Sequence, residues 1–199
     1  MNPTPLPTEA LETFRRLLRE ASESGDPEPT AMTLATVDAH ARPTVRTVLL
    51  KGVDELGFVF YTNYESRKGH ELAGNPNAAL LFFWKSLRHQ VQVRIEGPAA
   101  RLTPVESDRY FASRPRMSQL GAWASLQSQT LDRRETFENR LADYEREFAG
   151  GDVPRPPHWG GYRLSPTRIE FWYGAEFRLH ERHLHEHGPD GWTTRMLYP

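Results

Sequence analysis

No cysteine occurs among the 199 residues of this chain. A disulfide scaffold, a thiolate metal centre and a cysteine nucleophile are therefore excluded. Charge of one sign is also lacking: 25 Lys+Arg stand against 26 Asp+Glu, a formal net charge of -1. Such a chain has no global field to draw it to nucleic acid or anionic lipid, so any anion binding depends on local placement. No apolar run approaches the roughly 18 residues of a membrane span. The start, Met-Asn-Pro-Thr-Pro-Leu-Pro, has no basic region followed by an apolar one. These absences predict a soluble, cytoplasmic protein with neither nucleic acid nor membrane as partner. Gly-x-Gly-x-x-Gly and the phosphate-loop lysine motif are missing too, which removes the common dinucleotide and triphosphate cradles. Chemistry has to come from other side chains or from a cofactor.

What is present reads as one mainly β domain. Thr8 stands where it can cap a helix over about 8–23, in which Leu11, Phe14, Leu18 and Ala21 keep the helical period before Gly25. Extended segments at 30–37, 44–51 and 57–62, with a turn over 38–43, predict an antiparallel meander. A short helix over 65–73 stops at Gly74 and Pro76, and the apolar strand after it, 78–84, is expected to be buried on both faces. Residues 89–96 alternate, with Val91, Val93 and Ile95 on the core side. Thr103-Pro104-Val105-Glu106 is a capping box with proline at the first helical position, opening a helix to about 113. Start chemistry over 132–135 and the stripe Phe137, Leu141, Tyr144, Phe148 predict another, ending at Gly150-Gly151. Strands follow at 160–164, 168–173, 177–186 and 192–198. Many short strands without βαβ alternation predict a closed or nearly closed antiparallel barrel with appended helices.

Several clusters carry chemistry. On a strand over 177–186, Arg178, His180 and Arg182 share a face, and two guanidiniums around an imidazole suit an anion as well as they suit a wet strand surface. Arg46 and Lys51 differ in parity and bracket Val48-Leu49-Leu50, as anion ligands or as solvated charges. Tyr61-Thr62 ends a strand and Ser66-Arg67-Lys68 begins a helix, placing cations, hydroxyls and free amides at a positive helix end. Tyr110 and Arg114 stand four apart, a clamp or a packed aromatic–arginine pair, with Pro115 turning the chain towards Arg116 or Ser118. Gln90, Gln127 and Ser128 offer neutral donors and acceptors to a heteroaromatic ring. Trp159, Trp172 and Trp192 read as core or as walls for a flat ligand. His183, His185 and His187 alternate, but no carboxylate or cysteine is spaced with them. An exposed edge strand explains them better than a metal, and no metal site is expected.

Arg46-Thr-Val-Leu-Leu-Lys51, Phe60-Tyr-Thr-Asn63, Ser66-Arg-Lys68, Tyr110-Phe-x-Ser-Arg-Pro115, Ser118-Gln-x-Gly-Ala-Trp123, Trp159-Gly-Gly161, Glu170-Phe-Trp172 and Arg178-Leu-His-Glu-Arg182, in this order, resemble the pyridoxine/pyridoxamine 5'-phosphate oxidase family. The resemblance runs from about Leu11 to the C-terminus. It implies an FMN-binding split barrel, antiparallel and of Greek-key type, as a single domain over 1–199 with dimerisation and active-site strands over about 159–199. It further implies a homodimer with FMN at the subunit interface, oxidising pyridoxamine 5'-phosphate and pyridoxine 5'-phosphate with dioxygen. Positions matching the family's FMN ligands are Arg46, Thr47, Val48, Leu49, Leu50, Lys51, Tyr61, Thr62, Arg67, Lys68, Gln90, Gln127, Ser128, Trp172 and Arg182. Those matching its substrate ligands are Lys51, Tyr110, Arg114, Ser118, Arg178, Leu179 and His180, with Arg178 and His180 expected to serve catalysis. The chain departs from the family pattern at Glu181, where aspartate is usual, and at Met196, where arginine is. Many members also begin with a longer basic arm than this chain is expected to supply.

Overall fold

Alternating apolar residues make half-buried strands, and the computed structural model, which describes residues 4–87 and 89–199, joins ten of them into one curled antiparallel sheet. The strands are β1 Ala31–Val37, β2 Pro43–Leu49, β3 Gly52–Asp54, β4 Gly57–Asn63, β5 Asn77–Trp84, β6 Val91–Arg101, β7 Trp159–Leu164, β8 Arg168–Tyr173, β9 Glu181–Gly188 and β10 Gly191–Leu197. Five helices accompany them: α1 Thr8–Glu23, α2 Arg67–Gly74, α3 Pro104–Ala112, α4 Arg116–Ala124 and α5 Arg134–Glu147. Spatial order is β10-β9-β8-β6-β5-β1-β2, and β7 links β6 to β4, which carries β3.

Two places make the sheet a split barrel. Along one edge, β6 pairs with β8 as far as Glu96 and with β7 from Ala99. Between them lies Gly97, where a Cβ would stand 2.1 Å from the Ser165 carbonyl oxygen, so glycine is required for the two chains to approach. The other place is the end of β2. Leu50 N–H donates to Thr30 O (2.9 Å), and the next amide, Lys51 N–H, donates to Val59 O (2.8 Å). Within two residues the chain leaves its pairing with the β1 side and joins β4.

Two cores lie on opposite faces of β4. Phe58 and Phe60 belong to the first, which α1 closes by inserting Phe14 at 4.8 Å from Phe58 and 5.1 Å from Phe82, both edge-on. The second, under α3, α4 and α5, gathers Phe111, Leu120, Ala122, Val153 and Trp159, with Tyr61 packed against it.

The barrel, β8 and the Thr103 capping box are as the sequence predicts, the box with both reciprocal bonds present. Other expectations change. The predicted meander is broken, because β1 lies between β2 and β5 while β4 pairs with β3 and β7. Burial on both faces belongs to β4, which separates the two cores; β5 turns Phe83 outward, 43% exposed. Thr8 caps nothing, since Pro7 occupies the N-cap of α1, and Arg133 rather than an acid precedes α5. Helix α4 had no sequence-based counterpart. The predicted strand over 177–186 starts only at Glu181. Residues 176–178 form a 3₁₀ turn in which Phe177 (φ 54°) and Arg178 (φ 65°) are left-handed, a conformation incompatible with a strand.

Nor is β9 an edge, because β10 covers it. His185 is buried with Nδ1 3.0 Å from Thr194 Oγ1, His183 pairs with Glu181, and His187 lies edge-on to Trp192. Packing thus accounts for the three histidines.

Phe14 is fully buried among three aromatic rings, so Phe14→Ala leaves a cavity at the barrel mouth. It should cost about 3–5 kcal/mol of stability, read as a lowered midpoint in urea unfolding with an unchanged slope.

Candidate active site

Where β2 separates from β4, a cleft of about 740 Å³ opens between the sheet and the α3–α4 corner. Its sheet side is supplied by Thr47, Val48, Leu49 and Lys51 from the end of β2 and by Tyr61 and Thr62 from β4. Opposite are Lys68 of α2, Tyr110, Arg114, Ser118 and Gln127. Eleven of the residues marked by sequence therefore converge on one cavity. Asn63, Ser113 and Ser125 also line it and were not assigned a site role, although Asn63 and Ser113 belong to quoted motifs, and Trp159, read as core or as a ligand wall, lines it too.

An aromatic stack forms the floor. Tyr61 lies 3.9 Å from Tyr110 at 15° and 5.4 Å from Trp159 at 11° between ring planes. Trp159 is thus both core and wall. Arg114 rests its guanidinium over that ring at 4.5 Å. Its Nη1 is buried and has no hydrogen-bond partner among the described residues. Burial pushes the Arg114 guanidinium down from its ordinary range. A desolvated cation with an unused donor in a cleft is a seat for an anion.

Lys68 makes a second such seat. Its Nζ donates to Gln127 Oε1 (2.7 Å), Thr62 Oγ1 (3.1 Å) and Ser66 Oγ (3.2 Å), all neutral, and no carboxylate pairs with it among the described residues. Burial, and then the nearby positive charge of Arg46, lower it from an ordinary 10.5 to about 8. Ser66 is the N-cap of α2 and accepts from Gly69 N–H, so Lys68 sits in the first, positive turn of that helix.

Behind Lys68, Arg46 and Arg67 both bond Glu71, and neither lines the cleft. Leu50 is buried in the first core, and Ser128, with φ 74°, lines a neighbouring groove along α5.

Gln90, Trp172, Arg178, Leu179, His180 and Arg182 form a separate group at the β8–β9 end of the sheet, and none lines the cleft of its own chain. Gln90 O accepts from Gly174 N–H (3.1 Å), and Trp172 meets the His180 ring at 4.5 Å. His180 Nδ1 accepts the Ala175 N–H (3.2 Å), which leaves Nε2 to carry the proton of the neutral ring. Arg182 Nε donates to the buried Glu170 (2.7 Å), which also holds Arg94. Arg178 does not share a strand face with His180 and Arg182; it projects from the left-handed turn between the exposed Phe177 and Leu179. In one chain, the site residues make a cleft and a separate rim.

Comparison with known proteins matches residues 18–146 to the pyridoxamine 5'-phosphate oxidase family and residues 159–199 to the pyridoxine 5'-phosphate oxidase C-terminal dimerisation region. A pyridoxine/pyridoxamine 5'-phosphate oxidase of Xanthomonas campestris is 57% identical over 198 residues, covering 98% of this chain and 100% of the relative. One from Myxococcus xanthus is 52% identical over 194 residues, covering 98% and 93%. Among solved structures, PhzG from Burkholderia lata, in complex with tetrahydrophenazine-1-carboxylic acid, superposes with a TM-score of 0.89 at 31% identity over 100% of both chains. A pyridoxamine 5'-phosphate oxidase-related FMN-binding protein of Nostoc punctiforme shares the fold, with a TM-score of 0.72 at 16% identity over 94% and 97%.

Because Lys68 is lowered to about 8, the folded state holds its proton less tightly than the unfolded chain does. This group therefore opposes folding below about pH 8, and stability rises as pH climbs from there towards 10.5. Anion binding runs the other way. Affinity for a phosphate ester, followed by thermal shift, should fall as pH rises through 8, and Lys68→Met should flatten that fall; an unaltered profile in the variant would remove Lys68 from the anion seat.

Proposed function

The chain belongs to the pyridoxamine 5'-phosphate oxidase family, and from that premise we propose that it oxidises pyridoxamine 5'-phosphate and pyridoxine 5'-phosphate to pyridoxal 5'-phosphate. FMN is its cofactor, dioxygen its electron acceptor and hydrogen peroxide a product with either substrate, the amine substrate also consuming water and releasing ammonia; vitamin B6 salvage is its role. The observation that carries the reading is that one cleft holds two separate, partly buried cations, Lys68 and Arg114, beside the exposed Lys51, none with a carboxylate partner among the described residues. FMN and the vitamin ester each bring a phosphate, so two seats are needed.

The residues fit FMN. Lys68, with Thr62, the α2 amides and Arg67 beside them, would hold its phosphate, while Thr47, Val48, Leu49, Lys51, Tyr61 and Gln127 would line its ring and ribityl chain. Gln90, Trp172 and Arg182 lie outside the cleft of their own chain, and the region that carries the last two matches a dimerisation region. That division supports a homodimer in which the partner's rim completes the cleft. When bound, FMN supplies two-electron oxidation of the C4' carbon, with dioxygen as the final acceptor.

The chain's own task is to bind, orient and shield. Arg114, Tyr110, Ser118 and Lys51 would seat the substrate phosphate, fixing the pyridine ring over the flavin. Arg178 and His180 would cover the exposed face, with His180 Nε2 donating to the substrate.

A second reading rests on the PhzG likeness: the same barrel acting on a tricyclic carboxylic acid. The Arg114 and Lys68 seats favour the phosphorylated pyridine, because two phosphates occupy both.

Purified protein incubated with FMN should be yellow and release peroxide on addition of pyridoxamine 5'-phosphate. A colourless protein would overturn the reading. Bound FMN with no turnover would make the chain a carrier, and turnover of tetrahydrophenazine-1-carboxylic acid alone would select the second reading. Arg178→Ala should raise KM and slow turnover, roughly 10- to 100-fold in kcat/KM, with flavin content intact; unchanged kinetics would remove Arg178 from the site.

A further inference from the structure

A buried carboxylate stands among the cations of the proposed phosphate seat. Glu71, on the last turns of α2, is 6% exposed. One oxygen, Oε1, accepts the Arg67 Nε–H at 2.9 Å. The other, Oε2, accepts from Thr36 Oγ1 (2.5 Å), Thr44 Oγ1 (2.7 Å) and Arg46 Nη2 (3.1 Å). Burial works against its charge, yet the bonds from Thr36, Thr44 and Arg67 and the charge of Arg46 hold the carboxyl below its usual range. It is ionised at neutral pH.

The two arginines it holds are not equivalent. Arg46 spends Nη1 on Leu34 O and Thr36 Oγ1 and Nη2 on Thr44 Oγ1 and Glu71, which leaves Nε–H as its one uncommitted donor. It is an internal counter-ion more than a ligand. Among the described residues Arg67 commits only Nε, so its two terminal nitrogens, on a side chain 61% exposed, stay uncommitted on the first residue of α2, next to Lys68. A guanidinium held at Nε has its fork fixed in one plane, whereas a free arginine would have to be ordered on binding.

We propose that Glu71 is a positioning residue for phosphate recognition: it aims the Arg67 fork at the phosphate that Lys68 seats and ties that fork through Arg46 to the β1–β2 pair. The assignment rests on the FMN reading above. A carboxylate near a phosphate would otherwise repel it, so the arrangement makes sense only if ordering Arg67 outweighs that repulsion.

The test compares two flavins that differ only in the phosphate. Cofactor-free full-length protein is titrated with FMN and with riboflavin by fluorescence quenching, and the ratio of the two Kd values isolates what the phosphate contributes. Glu71→Gln, which puts an N–H where an acceptor was, should weaken FMN roughly tenfold while moving riboflavin less than about twofold. In an Arg67→Met background the same change should add less than about twofold, since the residue through which it acts is gone. Equal losses for both flavins would reduce Glu71 to a purely structural part, and tighter FMN binding would mean that repulsion dominates; either overturns the assignment while leaving the FMN reading intact. No FMN binding by the unsubstituted protein overturns both. If Glu71→Gln does not fold, Arg67→Lys, which keeps the charge on an exposed side chain but has no Nε fork, carries the test: a comparable loss for FMN alone is expected, and full FMN affinity overturns the proposal.

Discussion

Every backbone amide in a buried sheet must find an acceptor, and at Leu50 and Lys51 two successive amides find theirs on different sides of the barrel. The cleft follows from that divergence. Because the chain crosses there, β2 cannot continue its ladder onto β4, and the gap between them is the cavity into which Lys51, Tyr61 and Thr62 project. Helices α3 and α4 close the far side through the core that Trp159 anchors, so the same contacts that stabilise the helical layer set Arg114 against an aromatic ring. Site and fold share one set of interactions.

Electrostatically, the molecule is close to neutral as a whole, yet its cleft gathers cations that no carboxylate answers among the described residues. Several half-buried arginines elsewhere are answered by carboxylates: Arg163 by Asp54, Arg155 by Asp108, and Arg94 and Arg182 by Glu170. Lys68 and Arg114 are not answered, and both are lowered by burial. Leaving charges in that state is costly to a fold, and it persists here where a ligand can supply the missing partner. Glu71 marks the boundary between the two regimes, neutralising Arg46 while leaving the Arg67 fork outward.

Local signals were legible in the sequence and long-range ones were not. Thr103 and Glu106 specify their cap within four residues, and the first half of β6, with Val91, Val93 and Ile95 inward, shows its alternation directly. Strand order depends on contacts such as Asn63 with Trp159, which no periodicity encodes, and so the meander expectation failed. The turn at 176–178 failed for a different reason. Phe177 and Arg178 are poor left-handed residues, and alternation across Arg178, His180 and Arg182 imitates a strand. Much of the cleft was legible because its residues fall in short ordered motifs. Its separation from the rim of Trp172, His180 and Arg182 was not, nor was Glu71, whose spacing from Arg67 looks like any surface pair on a helix.

The pairing of β4 with β7 joins residues about a hundred positions apart, and β4 is apolar on both sides. A chain emerging from the ribosome can pair this strand with the short β3 alone until residue 159 and beyond have been synthesised. High contact order makes such closure slow and leaves the nascent chain in need of shielding from self-association. The cleft, lined by Tyr61 and Thr62 of β4 and by Trp159 of β7, is complete only once that distant strand has docked.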